Sequence, residues 1–298
     1  MTFQGSGDIQ GGRIRTGSGG GTGMKIAGGG IGAIIIGLIA MLLTGNAGML
    51  TSALTSGGGE DTSAASSSDG YIGACTVEQA NSDPTCRLNA TVQSLDAYWA
   101  PIVEKATGQK YVAPDVLSYS GQASTPCGTA SNATGPFYCP PDQTIYIDVS
   151  FNEVLKDQFG GSDGALAQEY VVAHEYGHHI EQVTGMMDAA NRQGSGANSD
   201  SVKIELAADC FAGMWAGTVS SIPDPNTGQP MKITQQDFND AMTNAAAVGD
   251  DHIMSMSGGR VNPDSFTHGT SAQREKWFST GFNKGTLQTC NTLQARSL

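Results

Sequence analysis

Charge is scarce in this chain, and positive charge is scarcer still. Only 14% of the 298 residues are Asp, Glu, Lys or Arg, and 15 basic residues face 28 acidic ones for a formal net charge of −13. The first 25 residues hold Arg13, Arg15 and Lys25 against Asp8, which is +2, so the remainder stands at −15. A surface of that sign repels polyanions, which argues against nucleic acid as a partner. Cysteine does not occur before residue 75, and no two cysteines have the Cys-x-x-Cys spacing of a zinc ribbon or a thiol redox site. No internal repeat is visible.

What is present divides the chain into four parts. Residues 1–24 are rich in Gly, Ser and Thr without periodicity, and are predicted to be a disordered cytoplasmic tail. Residues 26–43 (IAGGGIGAIIIGLIAMLL) contain no charged side chain; with basic residues before them they predict a membrane-spanning anchor over 25–44, N-terminus inside. The alternative, a cleaved signal peptide, is disfavoured by the long leader and by the lack of an Ala-x-Ala site directly after the apolar run. Residues 45–70 read as a flexible tether, and 71–298 as one extracytoplasmic domain long enough to bury a sizeable core. All six cysteines lie in that last part, which suits disulfides in an oxidising compartment; six buried thiols are the other reading. Cys75 with Cys86 and Cys127 with Cys139 would close short loops, leaving Cys210 with Cys290.

Within the domain the patterns predict an α+β fold, mainly helical with a small sheet. A helix is expected from an Asn89 cap to about residue 106, ended by Gly108 and bent or split at Pro101. Residues 144–149 (TIYIDV) read as a strand, either interior or an edge on which an extended peptide could lie. Helices follow over 165–183 and 200–219, the first stopped by Gly185. Thr234 with Asp237 forms a capping box for another, and a last helix spans about 271–281.

The chemistry concentrates in HEYGH, residues 174–178. Helical spacing of four stacks His174 and His178 on one face, where two imidazoles can reach one ion, and puts Glu175 within reach of water there. This is the His-Glu-x-x-His arrangement of zinc peptidases. The longer form with a third histidine is lacking, because position 184 is Thr. ELAAD on the next helix offers Glu205 and Asp209 four apart, amid Ile204, Leu206, Ala207, Ala208 and Phe211. Apolar surroundings seldom bury two carboxylates unpaired. Glu205 suits the third ligand and Asp209 the acceptor for a ligating histidine's outer N–H; the reverse assignment stays open. His268 is the leading candidate to stabilise an oxyanion, with a purely structural role as the alternative; Tyr138, His252 and Arg260 are weaker. His179 reads as structural, Gly177 as a point where another element comes close, and Asp250-Asp251 as solvated, with cation binding as the alternative.

HEYGHHIEQVTG and ELAADCFAGMWAG resemble segments of the bacterial neutral zinc metallopeptidase family, as do CGTASNATGPFYCPPDQTIYIDVSF and VNPDSFTHGTSAQREKWFSTGF. The resemblance covers most of the chain from about residue 71. It implies a zincin-like domain behind one membrane anchor, Zn2+ as cofactor, His174, His178 and Glu205 as ligands, Glu175 as base, and a peptide or protein substrate. Competing expectations are an anchored structural or chaperone-like protein with a zinc-stabilised fold, and a zinc amidase acting on cell-wall peptides.

Overall fold

The computed structural model describes residues 2–17, 70–258 and 260–298. The anchor expected over 25–44 lies outside these residues, as does the tether except for Gly70. Among the described residues no helix is long and apolar enough to cross a membrane.

The strands are β1 (Asp8–Ile9), β2 (Arg15–Gly17), β3 (Gly70–Tyr71), β4 (Cys75–Thr76), β5 (Asp115–Tyr119), β6 (Gln122–Thr125), β7 (Gly128–Ser131), β8 (Phe137–Cys139) and β9 (Thr144–Ile147). The main helices are α1 (Val77–Ser82), α2 (Pro84–Thr107), α3 (Phe151–Phe159), α4 (Ala165–Val183), α5 (Met186–Ala189), α6 (Asp200–Thr218), α7 (Gln235–Ala247), α8 (Asp250–Met256) and α9 (Ser271–Lys284). The fold is therefore a mixed α and β one, as expected.

Five strands form one sheet in the order β3-β2-β5-β9-β8; β2–β5 and β5–β9 are parallel, and both outer pairs are antiparallel. Strand β9 alternates as a two-sided strand must: Ile145 and Ile147 join the main core among the helices, whereas Tyr146 packs with Phe137 under the β6–β7 hairpin. It is thus an interior strand, and the edge on that side is β8.

Helices α4, α6 and α9 form the other layer, and small residues let them approach closely. A Cβ on Gly177 would stand 2.7 Å from the Ala208 Cα, so α4 and α6 touch at the backbone level there. Gly281 on α9 meets the Cys210 carbonyl in the same way, at 1.9 Å from such a Cβ. Trp99, Trp215 and Phe211 fill the core, with Trp99 edge-on to Phe211 at 5.6 Å. Disulfides join Cys75–Cys86, Cys127–Cys139 and Cys210–Cys290, the last clamping the chain's end onto α6.

Two expectations are corrected here. Residues 2–17 are not a disordered tail: β2 runs between β3 and β5, and β1 pairs with β4. Phe3, Ile9 and Ile14 are buried in the main core. Arg13 donates to Asp96 Oδ2 at 2.7 Å and to the Pro114 carbonyl at 2.7 Å, and lies 3.3 Å from the Tyr176 hydroxyl inside HEYGH. The domain thus draws on both ends of the intervening stretch, with Thr16 opposite Gly70 in the register. The other correction concerns α2, which starts earlier than predicted, at an Asp83 cap whose side chain accepts from the Cys86 N–H. Asn89 lies mid-helix and fully buried, its amide donating to the Gln10 carbonyl at 2.9 Å. Helix α2 runs through Pro101 to Gly108, which takes the left-handed conformation at φ 70°.

Candidate metal centre and cleft

Helix α4 is buried over most of its circumference, so each polar side chain on it needs a partner inside the protein. His174 and His178, one turn apart, present their rings 4.8 Å apart. Helix α6 crosses beside them at the Gly177–Ala208 contact and brings in Glu205. Its Oε2 lies 3.2 Å from His174 Nε2 and its Oε1 3.6 Å from His178 Nε2. A tetrahedral zinc with ligands at about 2.0 Å holds them about 3.3 Å from one another. One donor atom from each of the three side chains lies within 4.8 Å of the others, so the set fits such an ion.

The outward-facing ring nitrogens are also held. His174 Nδ1 lies 2.9 Å from Asp209 Oδ1, and His178 Nδ1 2.9 Å from Glu181 Oε2. Asp209, lowered by Arg274, is an ionised carboxylate that only accepts, so His174 Nδ1 carries a proton. Burial pushes Glu181 up instead, and both Nε2 atoms face Glu205. Asp209 sits behind the His174 ring rather than beside Glu205. Its oxygens are engaged by Arg274 Nε and Nη2, both at 2.9 Å, and by the Tyr170 hydroxyl at 2.5 Å.

The electrostatics follow from burial among these partners. Burial alone would raise the carboxyls, but the surrounding His178 and His174 hold Glu205 below its usual range, and Arg274 does so for Asp209. Burial lowers His174, yet Asp209 and Glu205 outweigh it and raise this imidazole to about 10 in the metal-free protein. A cation entering here must displace that proton. Glu175 is raised by burial, against the opposing pull of His174 and His178 and a backbone hydrogen bond from Tyr138 on β8.

Beside the three donors opens a cleft of about 690 Å3, counting the space open to solvent. Glu175, Glu205, His174 and His268 line one side of it. His268 Nδ1 is 3.0 Å from Asp250 Oδ1. Asp250 Oδ2 accepts the backbone N–H groups of Thr267, His268 and Gly269 at 2.8, 2.7 and 3.0 Å. Asp250 is thus fully buried, not solvated as expected. Burial lowers His268, but Asp250 and Glu205 raise it above its usual value.

The weaker candidates stand elsewhere. The Tyr138 hydroxyl bonds His179 Nδ1 at 3.0 Å and Gln182 at 2.7 Å, and His179 Nε2 reaches the Val112 carbonyl at 2.9 Å. His252 Nε2 meets the Phe159 carbonyl at 2.9 Å, and Arg260 is exposed. Sequence reasoning missed Glu181, Arg274 and Asp250. For Glu181 a signal existed, since it follows His178 at helical i+3 spacing. Arg274 and Asp250 gain meaning only from tertiary contacts, and no local pattern marks them.

A family model described as "Putative neutral zinc metallopeptidase" matches residues 2–293, so the match includes β1 and β2. The uncharacterised protein Rv2575 of Mycobacterium tuberculosis is 44% identical over 225 residues, 75% of each chain. The uncharacterised protein YpfJ of Escherichia coli K12 is 36% identical over 279 residues, 92% of this chain and 90% of the relative. No solved structure matches the chain.

Proposed function

The chain belongs to the neutral zinc metallopeptidase family, and from that premise we propose that it is a zinc-dependent endopeptidase with a zincin-like catalytic domain. The observation that carries this reading is the convergence of His174, His178 and Glu205 at ligand spacing, with Glu175 in the same cleft.

A zinc ion in that donor set would supply Lewis-acid activation of water and of the scissile carbonyl. Glu175 accepts the proton of the attacking water and passes it to the leaving amine. Burial suits it to this, because a carboxyl raised above its ordinary value holds and releases a proton nearer neutrality. His268, which Asp250 biases toward its cationic form, donates from its other ring nitrogen, Nε2, to the oxygen that becomes anionic in the tetrahedral adduct. Asp209 and Glu181 are positioning residues that fix the tautomers of His174 and His178. The substrate backbone lies along β8, the edge strand of the sheet, and Gly135 and Pro136, which lead into it, line the cleft.

The domain acts outside the cytoplasm. Support comes from the cysteines, all six of which are paired. Residues 2–17 share its sheet, so they lie on the same side of any membrane as the site. Membrane attachment through 25–44 then has to leave Gly17 and Gly70 on one side.

The test is cleavage of an unfolded protein substrate by the full chain, with and without chelator, beside Glu175→Gln. We expect zinc-restorable hydrolysis that the variant loses by at least about a hundredfold, the low end of what a general base contributes. Undiminished hydrolysis by Glu175→Gln would overturn the mechanism. Turnover of cell-wall peptides alone would redirect the reading to an amidase.

A further inference from the structure

The back of the metal-binding helix is held by a residue 163 positions earlier in the chain. Tyr176 stands two residues after His174 and two before His178. At about 100° per residue its side chain leaves α4 about 160° away from either imidazole. It is fully buried, and its hydroxyl donates to Asp96 Oδ1 on α2 at 2.8 Å. Arg13 closes the arrangement. Its Nε donates to Asp96 Oδ2 at 2.7 Å. Its Nη2 donates to the Pro114 carbonyl at 2.7 Å and lies 3.2 Å from Asp96 Oδ1 and 3.3 Å from the Tyr176 hydroxyl. A guanidinium is planar and presents its donors in a fixed fork, so these contacts hold as one unit.

Arg13 itself has little freedom. On one side the Gly12 N–H donates to the Ile72 carbonyl at 2.9 Å, and on the other the Ile72 N–H donates to the Ile14 carbonyl at 2.9 Å. Ile14 is fully buried, and Arg15 begins β2. The side chain of Arg13 therefore carries a fixed point of the sheet to α4. The pair with Asp96 is open to water, the two side chains being 24% and 25% exposed, and such a pair adds little to stability. Its contribution is geometric. On the donor side α4 is held by the Gly177–Ala208 contact and by Asp209 behind His174. The two sides together set how far the helix is turned about its own axis.

That angle matters because of leverage. Side chains reach about 5–6 Å from a helix axis, so a turn of about 10° moves an imidazole nitrogen by about 1 Å. Zinc–ligand distances hold to within about 0.2 Å. Misplacing a reacting group by about 1 Å costs up to about a hundredfold in rate.

We propose that Arg13 is a positioning residue of the metal centre: through Asp96 and Tyr176 it fixes the rotation of α4, and with it the placement of His174, Glu175 and His178. This rests on the peptidase reading and adds to it a residue that touches neither metal nor substrate.

The experiment compares Arg13→Gln, Arg13→Lys, Tyr176→Phe and the double variant Arg13→Gln with Tyr176→Phe, all in the full chain. Competition titration reads zinc affinity, hydrolysis of an unfolded protein reads kcat and KM, and melting reads the fold. Arg13→Gln should bind zinc at least about tenfold more weakly and lose about ten- to a hundredfold in kcat, with KM within about twofold of wild type. Arg13→Lys keeps the charge without the fork and should recover part of both losses. Tyr176→Phe removes one buried oxygen and should lower both quantities in the same direction. The double variant should be no worse than Arg13→Gln, because both changes act through one contact. If Arg13→Gln fails to fold, Tyr176→Phe alone carries the test. Wild-type zinc affinity and kcat in Arg13→Gln or Tyr176→Phe, whatever the melting temperature, or losses that add in the double variant, would overturn the inference. Weakened zinc binding in the variants of a chain that hydrolyses nothing even as wild type would keep the positioning role and sink the peptidase reading.

Discussion

Arg274→Met tests whether the polar arrangement behind His174 is held as described. Neither partner reaches solvent: the Arg274 side chain is 4% exposed and that of Asp209 0%, with Nε to Oδ2 at 2.9 Å. Methionine leaves a buried carboxylate without its cation, and breaking such a pair costs about 3–5 kcal/mol. The Tyr170 hydroxyl still donates to Asp209, which favours the lower end of that range. At about 2–4 °C per kcal/mol for a domain of this size, the melting temperature should fall by about 6–20 °C. Replacing both partners, Asp209→Leu with Arg274→Met, removes the stranded charge and should recover most of that loss. Zinc affinity should move the other way. The single variant keeps the acceptor for His174 Nδ1, whereas the double variant lacks it and should bind zinc about 10–100-fold more weakly. Denaturant unfolding in chelator, disulfides intact, reads the first quantity and competition titration of zinc the second. A single variant within 1 kcal/mol of wild type, or a double variant with wild-type zinc affinity, would refute the reasoning.

Other predictions follow from the same geometry. Glu181→Gln keeps the shape but weakens the acceptor on His178 Nδ1, and zinc affinity should fall about 10–100-fold in the same titration. Ile14→Ala should cost about 2–5 kcal/mol in denaturant unfolding, because Ile14 is fully buried in the main core; no change would return 2–17 to the status of a tail. Epitopes at the two termini should be protected or exposed together when cells or vesicles are treated with protease, since β2 and β5 are neighbours; opposite accessibility would contradict that pairing. The His268–Asp250 pair gives a pH signature in the metal-free protein. Asp250 is lowered on folding, so its contribution is present above its unfolded value of about 4 and fades below it. His268 is raised, so its contribution is full below about 6.5 and is lost as pH climbs through the folded value. The stability gap between wild type and His268→Gln should therefore be widest between about pH 4 and 6.5 and shrink on either side.

Where the chain carries its own signal, the structure was legible from sequence. Helix α4 matches its predicted span, 165–183, and α6 ends one residue short of its own, because apolar periodicity and the stop at Gly185 are local properties. The Thr234–Asp237 box caps α7 as read, for the same reason. Gly177 was legible too, since a glycine inside a helix costs stability unless something approaches it, and Ala208 does. Legibility failed where meaning comes from a distant partner. Strands β1 and β2 are two and three residues long, set in glycine-rich sequence, and find their hydrogen bonds on β3, β4 and β5. Asn89 looks like a helix cap in isolation, but its amide serves the Gln10 carbonyl 79 residues away. Asp250 looked solvated because nothing nearby in sequence announces the three N–H groups of 267–269 that surround it.

The most direct test of the account is the zinc content of the purified full chain by native mass spectrometry, set beside Glu205→Ala and Asp209→Ala. The account predicts one zinc per wild-type chain. It predicts near-complete loss in Glu205→Ala, and in Asp209→Ala an ion that is weakened but still bound. Zinc retained in Glu205→Ala but absent from Asp209→Ala would mean that the carboxylate behind His174, and not the one between the two imidazoles, holds the ion.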